Sequence, residues 1–130
     1  MSIQGVIPVL ERTFKADQAL AQYRVVTYSS SEGFVTYGAA KAPGIAGVTQ
    51  GATAASGDPV LVRQLGLSKV VISTAVTKGV PLILSDAQGR VSNNGGATGD
   101  GIVGVAEEGN PGAAGTSGDQ ITCFLQIRRA

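Results

Sequence analysis

Residues 44–48 read Gly-Ile-Ala-Gly-Val, and residues 101–105 read Gly-Ile-Val-Gly-Val. In both places a stretch rich in glycine and alanine follows, and then come the triplet Ser-Gly-Asp, at 56–58 or 117–119, and a final apolar run. A chain that repeats the same order of short strands and turns is typical of a duplicated structural unit. One such unit alone would leave an apolar face unpaired, so we expect the two copies to fold together.

The spacing between corresponding residues changes slowly along the chain. It is 56 residues between Gly33 and Gly89 and 61 between Asp58 and Asp119. The copies therefore differ mainly by a small insertion in the loop that is rich in glycine and alanine.

The repeat divides the chain into an arm and a domain. Residues 1–18 belong to neither copy and are predicted to form an extended N-terminal arm, while 19–130 form a single duplicated β domain with copies at about 19–68 and 75–127. Proline lacks an amide donor and the apolar residues of the arm follow no sustained period, so this segment is at most an edge strand.

The composition favours an all-β fold. Of the 130 residues, 19 are glycine and 5 are proline, 43% are hydrophobic and 15% are charged, which indicates strands joined by many turns. Residues 121–127 alternate between apolar and mainly polar positions, as a half-buried strand does. Residues 16–22 could form one helical turn, and no segment sustains helical spacing over three turns. We therefore predict a small β barrel or sandwich.

Charge and cysteine content argue against several classes of partner. Ten basic and nine acidic residues are scattered along the chain for a formal net charge of +1, which predicts neither a nucleic-acid surface nor a membrane surface. The single cysteine rules out an intramolecular disulfide. No apolar run reaches the roughly 18 residues of a membrane helix. We expect a soluble protein made in a reducing cytoplasm.

The inventory of reactive side chains argues against an enzyme. The chain has no histidine, the commonest general base at neutral pH. Glu107 and Glu108 are adjacent, and neighbours on a strand point to opposite faces, so we interpret them as a solvated loop edge. Cys123 shares a strand face with Ile121 and Leu125 and is expected to be a small core residue. We predict no catalytic residue, no metal site and no cofactor.

Two glycine-containing motifs are interpreted as turns. Residues 99–104 match G-x-G-x-x-G, but a β segment follows where a dinucleotide site needs a helix. The repeated Ser-Gly-Asp is expected to be a tight turn whose aspartate caps backbone amides. One aspartate per loop supplies too few oxygen ligands for Ca²⁺.

The second copy resembles a known group of proteins. Residues 76–82 read Val-Thr-Lys-Gly-Val-Pro-Leu, 85–91 read Ser-Asp-Ala-Gln-Gly-Arg-Val, 100–106 read Asp-Gly-Ile-Val-Gly-Val-Ala, and 118–119 read Gly-Asp before a terminal apolar strand. This pattern resembles the small capsid cement, or head decoration, proteins of tailed bacteriophages. The resemblance implies a β-clip or β-tulip fold, a homotrimer, and a position on the outside of the capsid that braces neighbouring major capsid proteins.

The resemblance also implies that the N-terminal arm contacts the shell. An apolar segment that contains proline can add as a strand to the sheet edge of a partner. The predicted contact residues are Ile3, Val6, Ile7, Pro8, Val9, Leu10, Arg12 and Phe14.

Two functions from different classes follow. The first is a structural virion protein, made in the bacterial host cytoplasm, that cements the outer capsid surface by bridging major capsid proteins. The alternative is a carbohydrate- or peptide-binding β module, such as a tail-fibre component or a β-clip domain. An enzyme in its own right is the weakest hypothesis.

Overall fold

The computed structural model describes residues 9–51, 54–93, 100–107 and 119–129. The described chain forms nine strands: β1 (Leu10–Ala16), β2 (Val25–Tyr28), β3 (Phe34–Thr36), β4 (Ile45–Thr49), β5 (Pro59–Val71), β6 (Pro81–Leu84), β7 (Val91–Asn93), β8 (Gly101–Ala106) and β9 (Gln120–Arg129). The predicted all-β class is confirmed. The described residues contain no helix that is long and apolar enough to cross a membrane.

The expected helical turn at residues 16–22 is wrong. Ala16 ends β1, and Leu20 forms an isolated antiparallel bridge with Ala54. The side chains of Ala16 and Leu20 are both buried in the same apolar core.

The first barrel consists of β1 to β4 and residues 59–65 of β5. Its strand order is β1-β3-β2-β4-β5, and it closes because β1 pairs with β3 in parallel and with β5 in antiparallel orientation. Closure leaves these strands without a free edge. The core of this barrel contains Phe14, Ala16, Leu20, Val26, Val35, Ala46, Ala54, Val60 and Val62.

The second barrel consists of residues 66–71 of β5 and strands β6 to β9. Its strands follow the order β5-β9-β8-β6-β7, and a parallel bridge between Ile72 and Val91 links β7 back to the end of β5. The amide of Ser73 also donates to the carbonyl of Val91, at 3.0 Å. Read from β5 through this bridge, the order of the second barrel is β5-β7-β6-β8-β9. It matches the order β1-β3-β2-β4-β5 of the first barrel.

The hydrogen-bonded register recurs at the spacings of the sequence repeat. Four residue pairs of the first barrel each have a counterpart pair in the second barrel, at the spacings of the repeat. Phe14–Val60 corresponds to Val70–Ile121, Val25–Val48 to Pro81–Val105, Thr27–Thr36 to Ile83–Ser92, and Val48–Arg63 to Val105–Phe124. Each barrel also has a register shift at the same place, at Val26/Thr27 and at Leu82/Ile83. Duplication extends to individual backbone contacts.

The predicted boundaries of the arm and of the two copies are wrong. Residues 10–16 are not an arm, because they form β1, and the counterpart of β1 is the second half of β5. Residues 69–71, which fall between the two predicted copies, therefore belong to the first strand of the second barrel. Gly66 has φ of 107° where β5 passes from one barrel to the other. A backbone of this kind favours glycine.

The two barrels are joined by packing as well as by β5. All five residues of β4 are buried, and Ile45 and Val48 lie with Val25 in the core cluster of the second barrel. Backbone hydrogen bonds cross the same boundary, for example from the amide of Val25 to the carbonyl of Gly89 at 2.8 Å. The apolar side chains of the second barrel thus pack against the outer face of the first.

β1 and β9 both pair with the middle of β5, at neighbouring positions. Leu10, at the start of β1, pairs with Leu65, and Leu125, in the middle of β9, pairs with Gly66. Beyond Leu125, β9 continues as the partner of β8 as far as Arg129.

Glycine is required at one equivalent position of each barrel. A Cβ on Gly47 would overlap the carbonyl oxygen of Arg63, and a Cβ on Gly104 would overlap that of Phe124. Both glycines pair with the residue just before the register shift, where two strands approach closely.

Candidate interaction surface

The predicted shell-contact residues fall into three groups. Ile3, Val6, Ile7 and Pro8 lie outside the described residues. Val9 and Leu10 are exposed at the start of β1, and Arg12 is exposed two residues further along. These three side chains are therefore accessible to a partner.

Phe14 does not belong in this contact set. Its side chain is only 6% exposed and packs in the core of the first barrel. The guanidinium carbon of Arg12 lies 5.1 Å from the centroid of its ring, and the ring of Tyr28 lies 5.9 Å away, centroid to centroid. The prediction for Phe14 is wrong because β1 is a barrel strand, whose alternate side chains point inward.

The largest apolar side chains that the described surface exposes, apart from Tyr28, lie on β5, on β1 and just before β1. We name them the leucine face, and its members are Val9, Leu10, Leu61, Leu65 and Leu67, each between 39% and 49% exposed. Leu61 and Leu65 share the outward side of β5, and Leu10 is the direct partner of Leu65 across the sheet. Contiguous exposed apolar surface marks interaction sites.

One ion pair lies within the leucine face. The Arg63 Nη2 and Glu11 Oε2 atoms are 2.8 Å apart, and the two side chains are 27% and 28% exposed. Arg63 also donates from Nη1 to the carbonyl of Leu67, at 2.6 Å. The guanidinium is therefore held in place between the leucines, and the charges on this face cancel.

A shallow groove opens at the other end of β1. It has a volume of about 310 Å³ and is lined by Thr13, Phe14, Lys15, Glu32, Gly33, Phe34 and Pro59. The Lys15 Nζ atom lies 6.0 Å from the centroid of the Phe34 ring. The groove thus offers an aromatic ring, one cation and one carboxylate, which could receive a small peptide or sugar group.

Cys123 is not a nucleophile. Burial raises the pKa of its thiol to about 12, and the negative charge of Glu107 contributes to the increase. A thiol in this state carries almost no thiolate at neutral pH. The predicted core position is confirmed, since Cys123 lies in the core cluster of the second barrel.

The carboxylates of the described chain are dispersed. Glu107 is exposed just after β8, and Glu108 lies outside the described residues. Within the described ranges, no three His, Cys, Asp or Glu side chains come close enough together to hold a metal ion.

Asp86 has a structural role in the turn between β6 and β7. Burial alone would raise its pKa, but a hydrogen bond from the Arg90 side chain, others from the amides of Gln88 and Arg90, and the charge of Arg90 together lower it. The Arg90 Nη2 and Asp86 Oδ2 atoms are 2.6 Å apart. This carboxylate therefore stabilises the turn in its ionised form.

The two glycine motifs are structural where they are described. Residues 101–104 lie in β8, so the G-x-G-x-x-G match leads into a strand, as the sequence indicated, and Gly99 lies outside the described residues. In the first copy, Asp58 Oδ2 accepts a hydrogen bond from the amide of Ala55 at 3.1 Å, which confirms the predicted cap. Residues 117 and 118 of the second copy lie outside the described ranges.

Comparison with solved structures finds a protein of similar fold. The N base of head fiber gp8.5 in bacteriophage phi29 matches with a TM-score of 0.66 over 92% of this chain and 95% of that chain, at 16% sequence identity. At this identity the likeness shows the fold alone. No protein-family model matches the chain, and no curated protein matches it.

Sequence reasoning did not find the leucine face. The run 60–67 is mostly apolar, so its periodicity does not show which side chains face outward. The available signal was the second copy, which has Thr122 and Gln126 at the positions of Leu61 and Leu65.

Proposed function

We propose that this protein is a structural component of a bacteriophage head. In the finer form of the proposal it is a cement protein that binds the outer surface of the assembled capsid as a homotrimer and bridges neighbouring major capsid proteins. The observation that carries the proposal is the shared fold, over nearly the whole chain, with a protein described as a head fiber of a phage.

A second line of support is independent of that fold match. The motifs at 76–82, 85–91 and 100–106 resemble those of phage head decoration proteins. In the structure these segments form the loop that leads into β6, the turn held by Asp86 and Arg90, and β8. They therefore support a common fold with that group more strongly than a common contact surface.

Thermodynamic linkage explains how such a protein would act. A protein that binds the assembled shell, and not the free subunits, stabilises the shell by mass action. Many copies on one particle increase the total effect without strong individual binding. A closed barrel and a second barrel of the same strand order, joined by a shared core, give the compact body that a brace requires.

The direct test adds the purified protein to expanded capsids that lack decoration. We expect saturable extra density at equivalent positions on the outer surface, seen by electron microscopy, and a higher temperature of capsid disruption. Capsids that stay bare after incubation with an excess of the protein would contradict the proposal.

The N-terminal residues are the proposed shell contact, and the structure sharpens how to test them. Deleting residues 2–8 leaves β1 intact, so we expect a folded protein that no longer attaches to capsids. Deleting residues 2–15 removes Phe14 from the first core and is expected to unfold the barrel. If the shorter deletion still decorates capsids, the contact lies elsewhere.

A carbohydrate- or peptide-binding module is the second candidate, and the groove beside Phe34 is the observation that favours it. The test is a glycan array and a peptide array probed with the intact protein and with Phe34→Ala. Binding that the substitution abolishes would support this candidate.

A further inference from the structure

We propose that the leucine face is the surface through which copies of this chain associate with one another. This inference deepens the self-association part of the proposed function, on which it rests, and names the interface. It starts from a comparison that the molecule provides within itself, because the two barrels have the same fold and register.

The second barrel shows that the fold does not need leucines on this face. Leu61 and Leu65 lie on the part of β5 that belongs to the first barrel, and their counterparts on β9 are Thr122 and Gln126. The second barrel thus has polar side chains at both positions. An exposed leucine forgoes the free energy that burial of its apolar surface would provide. Because the second copy of the same fold uses polar residues at these positions, the leucines of the first indicate that another surface covers them.

A second copy of the chain fits this surface by charge. Glu11 and Arg63 are both partly exposed in its middle, so one face presents a carboxylate and a guanidinium together. When identical faces meet around a rotation axis, each sign on one copy can lie opposite the other sign on its neighbour. A face of one charge sign would repel itself, whereas this face has no net charge.

The residue composition of the leucine face is also typical of protein interfaces. Apolar side chains dominate the buried centre of such interfaces, and arginine is enriched there relative to other charged residues. Arg63 is already held by Glu11 and by the carbonyl of Leu67, so little side-chain freedom is lost on association.

The test replaces the leucines with the residues that the chain itself uses at the equivalent positions. The double variant Leu61→Thr with Leu65→Gln is compared with the wild type by size-exclusion chromatography with light scattering over a range of concentrations. We expect the wild type to have a mass that is a multiple of 13.0 kDa. We expect the variant to have the mass of one chain, with a dissociation constant raised by about tenfold or more.

Two further variants make the result specific. The single variant Leu65→Gln serves if the double variant does not fold, as judged by its circular dichroism spectrum and melting curve. The matched control is Thr122→Ser with Gln126→Ala, which alters the same positions of the second barrel and should keep the wild-type mass.

The outcomes separate this inference from the proposed function. A wild type that is monomeric at every concentration, or a folded leucine variant that keeps the wild-type mass, would overturn the inference. Capsid decoration is scored on the same samples. A leucine variant that keeps its mass but no longer decorates capsids would assign this face to the shell and overturn the inference, while leaving the proposed function in place.

Discussion

At the scale of single residues, Gly104 sets the distance between β8 and β9. A Cβ at this position would overlap the Phe124 carbonyl oxygen and lie 3.0 Å from the Cys123 Sγ atom. Because backbone atoms cannot move aside cheaply, we expect Gly104→Ala to lower the free energy of unfolding by about 1–3 kcal/mol. Urea denaturation followed by circular dichroism measures the loss.

Two other glycines complete that experiment. Gly47→Ala should cost a similar amount, since a Cβ there meets the Arg63 carbonyl in the same way. Gly51→Ala is the control, because nothing lies within 4 Å of its added Cβ. Equal stability of all three variants would show that the close approach is not important.

The position of the first barrel that is equivalent to Cys123 is occupied by Val62, which is also a core residue. We expect Cys123→Val to change the free energy of unfolding by less than about 1.5 kcal/mol, because the substitution keeps an apolar side chain of similar size. Cys123→Ser should cost about 1–3 kcal/mol, since it buries a hydroxyl. Urea denaturation monitored by circular dichroism compares the two variants.

The thiol itself provides an independent measurement. Its pKa of about 12 and its burial predict that a chromogenic disulfide reagent reacts slowly with the native protein and rapidly with the denatured protein. Fast reaction in the native state would place Cys123 at an accessible site.

At the scale of elements, the turn between β6 and β7 depends on the charge of Asp86. Its pKa is lower in the folded protein than in the unfolded chain, so its stabilising effect is present at neutral pH and is lost as the pH falls through the folded-state value. We expect Asp86→Asn to cost about 0.5 kcal/mol at neutral pH. The difference from wild type should shrink in acid.

Thermal unfolding between neutral pH and pH 3 measures that trend. Glu32→Gln is the matched control, because Glu32 is exposed in the corresponding turn of the first barrel and Gln88 stands at the equivalent position of the second. A stability difference for Asp86→Asn that does not change with pH would contradict the assigned role of the carboxylate.

The strands and their duplication were largely predictable, whereas the limits of the repeat were not. From residue 25 onwards, turn residues recur between the strands at the spacing of the repeat. These turns show which strands of the two copies correspond. β1 has no such marker, and its counterpart lies hidden inside the continuous apolar run of β5. Phe14 and Val70 correspond in space, but they share only a buried position.

The candidate surface was predictable only in part. Val9, Leu10 and Arg12 were named from the sequence and are exposed, while Phe14 is buried. The leucines of β5 were missed because an apolar run does not show which of its faces is covered. That information comes from the pairing of β5 with β1 and β9.

At the scale of the whole molecule, the two barrels should unfold as one unit. They share β5, and Val25, Ile45 and Val48 of the first barrel lie in the core cluster of the second. We expect a single calorimetric transition whose calorimetric and van't Hoff enthalpies agree. Val48→Ala should lower its midpoint, with a cost of about 2 kcal/mol, without splitting it.

A variant of the first core provides the comparison. Val26→Ala removes methyl groups from that core, on the face of β2 opposite Val25, and should also shift one common transition. Two separate transitions, in the wild type or in either variant, would show that the barrels are independent.

The pairing of Leu10 with Leu65 and of Leu125 with Gly66 has a consequence for rearranging and labelling the protein. β1 begins beside the middle of β5, and β9 passes the neighbouring position four residues before Arg129. A flexible tether of about ten residues is therefore long enough to join the two strands into a ring. Such a ring, reopened between Gly51 and Ala54, should yield a circular permutant with both barrels intact. Fluorophores attached ahead of β1 and behind β9 would lie close enough for energy transfer, which a proximity assay can measure.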